Sequence, residues 1–400
     1  MSAHGNTSAI KNPGALPVSA SWNTLLLVMI AVGAVAFFAA VKGDAERAWI
    51  SYAINYFFFM ALAVGGVFFA AIQYVTNAMW SAPIRRIAEA FTAFLPVALV
   101  LFLLFAVFGM HHIYEWTHED VVAKDPMLLG KVSYLNEKFF ILRNGFAIFI
   151  WIVFARWMVS ESLAQDKTSD FRHTVKNRIL SPIFLILFAF TFTMASFDIM
   201  MSLDPHWFST IFGVYCFAGL FYSILALLCI LTIVLKRQGL LDGIVNDNHL
   251  HDIGKFMFAF TVFWAYIGFS QFMLIWYANL PEETGYYIRR MQGGWACVSL
   301  FLLLGKFCVP FFLLMPRRSK RVEGRLLGVS AFMLIAQWID YMWLAQPQFY
   351  SGPRIGWIEI GTTIGFIGVF GFVVTRFLTK NCIVAIGDPR LAESVHHHHQ

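Results

Sequence analysis

The stretch Ser51-Tyr-Ala-Ile-Asn-Tyr-Phe-Phe-Phe-Met-Ala-Leu-Ala-Val-Gly-Gly-Val-Phe-Phe-Ala-Ala-Ile-Gln-Tyr-Val-Thr76 contains no Asp, Glu, Lys or Arg. Bilayer hydrocarbon is about 30 Å thick and takes about 20 apolar residues to cross as a helix, so the stretch reads as a membrane span. Working outward, runs of the same kind occur at 22–41, 91–110, 140–160, 182–203, 208–235, 254–278, 295–315, 326–345 and 357–378. The expected fold is therefore all-α, a polytopic integral membrane protein of about ten transmembrane helices. Composition agrees: 59% of residues are hydrophobic and 13% charged, against about 45–50% and 25% in soluble domains. A stretch around Pro83, after the second span, is expected to be a loop or an interfacial helix.

Lys and Arg in the connections set the orientation. One side carries Lys11, Arg85, Arg86, Arg156, Lys167, Arg172, Lys176, Arg178, Lys236, Arg237, Arg317, Arg318, Lys320, Arg321, Arg325, Arg376, Lys380 and Arg390. The other has Lys42, Arg47, Lys124, Lys131, Lys138, Arg289, Arg290 and Arg354. The bias predicts a cytoplasmic N-terminal tail (1–21), a transmembrane domain (22–378) and a cytoplasmic C-terminal tail (379–400) in a bacterial inner membrane. The polar N-terminus lacks the pattern of a cleaved signal peptide. The opposite face is expected to carry one sizeable loop, 111–139, too short to form a domain. The net charge of +6 is spread over short loops, and nucleic-acid binding is not expected.

The five cysteines have no C-x-x-C spacing of the kind that iron–sulfur or zinc sites use. A membrane haem needs axial histidines within spans, and here every His falls at a helix end, in a loop or in a tail, including the terminal His396–His399 run. No cofactor or metal bound by this chain is expected. Ionisable groups inside spans are costly and mark functional sites by default. Lys306 is the deepest, and Pro310, four residues on, is expected to kink its helix. It is read either as a transport or proton-relay group or as a structural lysine paired to a carboxylate. Asp198, Asp340 and Glu359 lie toward the extracytoplasmic ends of their spans, with Asp204 and His206 in the turn beyond Asp198. The group reads as the mouth of a proton path, the rim of a quinol pocket, or carboxylates reaching headgroup water. Thr191 and Asp198 share a helix face, as do Tyr215 and Tyr222, while Gln337 and Asp340 are three apart and Trp264, Ile267 and Gln271 form a stripe.

At Met201-Ser-Leu-Asp-Pro-His-Trp-Phe-Ser-Thr-Ile-Phe-Gly-Val-Tyr215, and at Lys255 through Thr284 with Phe-Trp-Ala-Tyr-Ile-Gly-Phe-Ser-Gln and Trp-Tyr-Ala-Asn-Leu-Pro-Glu-Glu, the chain resembles the membrane subunits of alternative complex III. These belong to the NrfD/polysulfide-reductase group, and the resemblance covers nearly the whole chain. Length and span number are more like the smaller ActF type than the larger ActC type. The resemblance implies two four-helix bundles, from spans two to five and six to nine, plus two extra helices, although no sequence repeat is strong enough to demonstrate them. It implies a quinol:cytochrome c oxidoreductase in which menaquinol or another quinol is oxidised. The implied partners are a larger NrfD-like subunit, an iron–sulfur protein, c-type cytochromes carrying the haems, and lipids. His111, His112, Asp198, Asp204, His206, Gln271, Lys306, Asp340 and Glu359 are the quinol or proton-path candidates, the first five because they lie at the depth where quinol oxidation requires proton exchange. A secondary transporter and a passive anchor for redox subunits are the competing readings.

Overall fold

The computed structural model describes residues 12–396; Lys11 and His397 to His399 lie outside the described residues. Among the described residues ten helices are long and apolar enough to cross a membrane: α1 Ala20–Gly43, α2 Ala45–Val75, α3 Arg85–Phe108, α4 Glu137–Thr168, α5 Phe171–Leu203, α6 Phe212–Arg237, α7 Asp247–Ala278, α8 Gly293–Leu314, α9 Glu323–Gln348 and α10 Trp357–Lys380. The chain is an all-α, multi-pass membrane protein, without a β-strand among the described residues.

Several helices outrun their apolar stretches because polar residues at their ends satisfy the backbone. Asp44 accepts from Arg47 N at 3.1 Å and starts α2 six residues ahead of the run. Asn136 likewise starts α4. Asn279 and Ser169, both in the left-handed region, end α7 and α4. The stretch around Pro83 is a chain of turns leading into α3.

Helices α2 to α5 pack in a ring, each against the next and α5 back against α2, and α6 to α9 repeat this arrangement. The two bundles meet where α2 and α5 touch α6 and where α2 touches α9. Helix α2 is therefore almost wholly buried, while α1 is mostly exposed apolar surface suited to lipid. Both α2 and α6 follow a span that ends on the face opposite the termini, so the halves run parallel.

The extra helices, α1 and α10, form a close pair against α2. Gly33 lies against the backbone of Gly365, Gly361 against Ala36, and Gly368 against Met29 and Ile30, so a side chain at Gly33 has no room. Glycine at such a contact lets helix backbones approach without a hydrophobic driving force between them. An even number of spans puts both termini on one face, where Leu16 N donates to Leu378 O and Ala15 bridges to Cys382.

Alanine normally improves a helix interior by about 1 kcal/mol over glycine. Gly33→Ala is expected to lower the thermal unfolding midpoint in detergent despite that gain. Gly328→Ala, which faces open space on α9, is expected to hold or raise it. Equal midpoints for the two variants would refute the close crossing.

Candidate functional site

Pro310 has no N–H to donate to the carbonyl of Lys306 and its ring crowds that carbonyl. The helix answers with a π-helical segment, Leu302–Cys308, immediately before the proline. The carbonyl oxygen of Lys306 accepts from the Tyr222 hydroxyl at 3.3 Å. The wider turn directs Lys306 into the second bundle, where its Nζ lies 2.6 Å from Asp340 Oδ2 and 2.7 Å from Gln337 Oε1. It also lies 3.8 Å from the centre of the Trp264 ring.

Asp340 accepts three further bonds. Tyr215 OH donates to Oδ1 at 2.6 Å, Trp264 Nε1 to Oδ2 at 3.2 Å, and Gln337 Nε2 to Oδ2 at 3.1 Å. Helices α6, α7, α8 and α9 thus each contribute to one polar knot, with Lys306 and Asp340 both fully buried. Gly219 of α6 makes room: a Cβ there would stand 2.7 Å from Gln337 Nε2. Moving two charges out of water costs several kcal/mol per ion, and only close pairing with the remaining bonds filled offsets it.

The first bundle holds a parallel arrangement. Arg143 of α4 grips Asp198 of α5 through Nε at 2.9 Å and Nη2 at 2.8 Å, and Asn144 Nδ2 adds a bond at 2.9 Å. Arg143 also donates to Tyr134 O and stacks on Tyr134 and Phe139. Thr191, on the same face as Asp198, accepts from Trp151 of α4. In both bundles a cation on the third helix pairs with an aspartate on the fourth. The sequence repeats with it: Asp198-Ile-Met200-Met-Ser-Leu-Asp-Pro205-His-Trp207-Phe208 matches Asp340-Tyr-Met342-Trp-Leu-Ala-Gln-Pro347-Gln-Phe349-Tyr350 in the aspartate, the methionine two on, the proline seven on, and the aromatic pair.

The other candidates stand elsewhere. Glu359 is clamped by Arg47 of α2 through two bonds of 2.8 Å and caps Gly356 N. Asp204 pairs with Arg289, and exposed His206 with Asp125 at 2.6 Å. His111 lies 3.5 Å from Glu137, and His111 and His112 are exposed. Gln271 lies in the second bundle, two helical turns from Trp264 toward the face opposite the termini. It accepts from Ser209 and donates to Tyr287, whose phenol burial pushes up to about 12. Lys306 and Asp340 are brought together, while Asp198, Asp204, His206, His111 and Glu359 sit in separate pairs.

Sequence reasoning did not single out Arg143, although a charge inside the 140–160 run was the available signal. It also missed the termini-face cluster, where fully buried Arg86 lies 2.8 Å from both Glu89 and Asp166, and Glu89 accepts from Ser162. Arg85 pairs there with Asp388 of the C-terminal segment. On the opposite face Arg290 is buried, with no carboxylate among the described residues in contact with it. It donates to the carbonyl oxygens of Trp343, Tyr286 and Leu344 and stacks on Tyr286, and burial pushes its guanidinium pKa down.

Among the described residues no group of three or more His, Cys, Asp or Glu is placed to hold a metal ion. An apolar groove of about 940 Å³ runs between α10 and α6, α9 and α2, with Phe58, Leu231, Trp338, Ile364 and Val374 on its walls. Its apolar lining suits a hydrocarbon chain. A scan against protein-family models finds no match to this chain, and a search of curated proteins finds none.

The bond to His206 holds the Asp125 carboxyl below the usual carboxylate range. A lowered folded-state pKa stabilises above the ordinary value, about 3.9, and that contribution is lost as pH falls through the lower folded value. The segment 119–131 is therefore expected to stay docked on the α5–α6 turn down to about pH 4 and to loosen below it. Asp125→Asn should raise its hydrogen exchange already at neutral pH. Exchange unchanged by that substitution would count against the contact.

Proposed function

We propose that this chain is a membrane subunit of a quinol:cytochrome c oxidoreductase of the alternative complex III type, in a bacterial inner membrane with both termini cytoplasmic. Electrons from menaquinol or another quinol pass through the iron–sulfur and c-haem subunits that the resemblance implies. This chain relays protons through its second bundle. The observation that carries the reading is the polar knot around Lys306 and Asp340: a buried ion pair ringed by groups that can exchange or pass a proton, in a part of the fold where any charge is costly.

The two stretches that carry the resemblance converge on this region. The first ends on Tyr215, which donates to Asp340, and the second supplies Trp264 and Gln271. From the knot, Tyr215 lies against Gly268 of α7, one turn from Gln271, and Gln271 contacts Ser209 and Tyr287 near the face opposite the termini. That line is the proposed exit, with Asp204 and Arg289 beyond it. The parallel course of the two halves weighs against a transporter built on inverted repeats.

Gentle purification of the tagged chain from its native membrane is expected to bring haem-bearing and iron–sulfur subunits with it. In that complex, Lys306→Met and Asp340→Asn should each lower proton release per electron at least severalfold. Isolation of the chain alone and colourless would overturn the assignment to the complex. Unchanged proton release in both variants would leave the anchor role in its place.

A further inference from the structure

The two halves keep the same aspartate and differ in the cation that faces it. Arginine stays protonated under all protein conditions, whereas a lysine ammonium can give up its proton when buried. The surroundings differ in the same sense. Around Asp198 the donors are two N–H groups of Arg143, one of Asn144 and the Tyr134 hydroxyl, so removing the arginine leaves two bonds. Around Asp340, three neutral donors remain without the lysine: Tyr215 OH, Trp264 Nε1 and Gln337 Nε2. Without its extra proton, Lys306 can still donate to Gln337 Oε1. Lys306 sits in a π-helical segment, of the kind that often marks functional sites. Arg143 sits in an unbroken α-helix.

We infer that the chain carries two diverged copies of one aspartate–cation site, of which the second exchanges a proton at Lys306 Nζ while Asp340 stays a carboxylate, and the first is fixed by Arg143. The step is a loss of H⁺ from the ammonium to a water molecule, giving H₃O⁺ and leaving a neutral amine beside a carboxylate, and uptake of H⁺ from water on return. No electrons move. The titratable groups around Lys306 are Tyr215, Cys216 and Tyr222 from α6 and Asp340 and Tyr341 from α9. Above the knot stand Tyr286, Tyr287 and Arg290 of the short helix Pro281–Met291, and α7 presents Trp264.

This deepens the proton-relay reading and rests on it for its purpose, but its chemistry is tested on the full-length chain in lipid nanodiscs. A pH-indicator dye would count protons released on raising the pH, and infrared difference spectra would report carboxyl protonation. Lys306→Arg is expected to release one proton fewer than the unmodified chain. Arg143→Lys is expected to release one more, which keeps the test open if Lys306→Arg does not fold. The unmodified chain should show no protonated-carboxyl band that Asp340→Asn removes. Such a band, or equal proton counts in the unmodified chain and both variants, would overturn the inference. If the counts change as expected while Lys306→Arg leaves proton release per electron intact in the assembled complex, the exchange at Lys306 stands and the relay reading falls.

Discussion

A lysine and an aspartate inside a bilayer cannot turn to water, and each is costly there without close partners. The 2.6 Å contact between Lys306 and Asp340 therefore constrains everything within reach of it. Helix α8 must open into a π-helical segment to aim the lysine, and α9 must carry Gln337 one turn before the aspartate. Helix α6 must lack a side chain at Gly219 and supply Tyr215, and α7 must present the edge and face of Trp264. One missing partner would leave a buried polar group unsatisfied, which costs far more than the bond it replaces contributes. The second bundle is thus organised around its interior, not only around apolar packing.

Several of the other ion pairs lie at helix ends, where they act as brackets between helices. Arg47 and Glu359 fasten α10 to α2 on one face, and Arg86, Glu89 and Asp166 fasten α3 to α4 on the other. The short helix Pro281–Met291 spans both halves: Arg289 holds Asp204 at the end of α5, and the neighbouring Arg290 caps carbonyls at the end of α9. Where no charge is available, glycine and aromatic contacts do the work, as in the α1–α10 crossing and the Phe68–Phe188–Phe217–Phe221 cluster between the bundles.

All ten spans were legible in the sequence because crossing hydrocarbon demands long apolar runs regardless of tertiary detail. Their ends were not, since caps such as Asp44 and Asn136 extend helices into polar sequence. Lys306 and Asp340 each stood out by cost, but a period of 3.6 relates residues within one helix and says nothing about which helices are neighbours. Tyr215, Trp264 and Gln337 were visible as stripes without a shared target. Arg143 was hidden by counting only loop charges, and Arg86 was counted there although it is buried. The internal repeat eluded pattern reading because it survives at a few positions around Asp198 and Asp340 and is diluted by divergence elsewhere. Once the two aspartates are seen in equivalent places, the alignment is plain.

Lys306 and Asp340 are coupled inside the membrane, and the fold depends on that coupling. A double-mutant cycle in unfolding free energy, on the full-length chain in detergent, addresses it directly using Lys306→Met, Asp340→Leu and the two combined. Removing one partner of a buried pair typically costs about 3–5 kcal/mol, while replacing both with apolar groups can be close to neutral. Each single variant is expected to lose stability on that scale, and the double variant clearly less than the sum of the two, because Tyr215, Trp264 and Gln337 lose Asp340 only once. Losses that add to within about 0.5 kcal/mol, as for independent sites, would contradict the coupling.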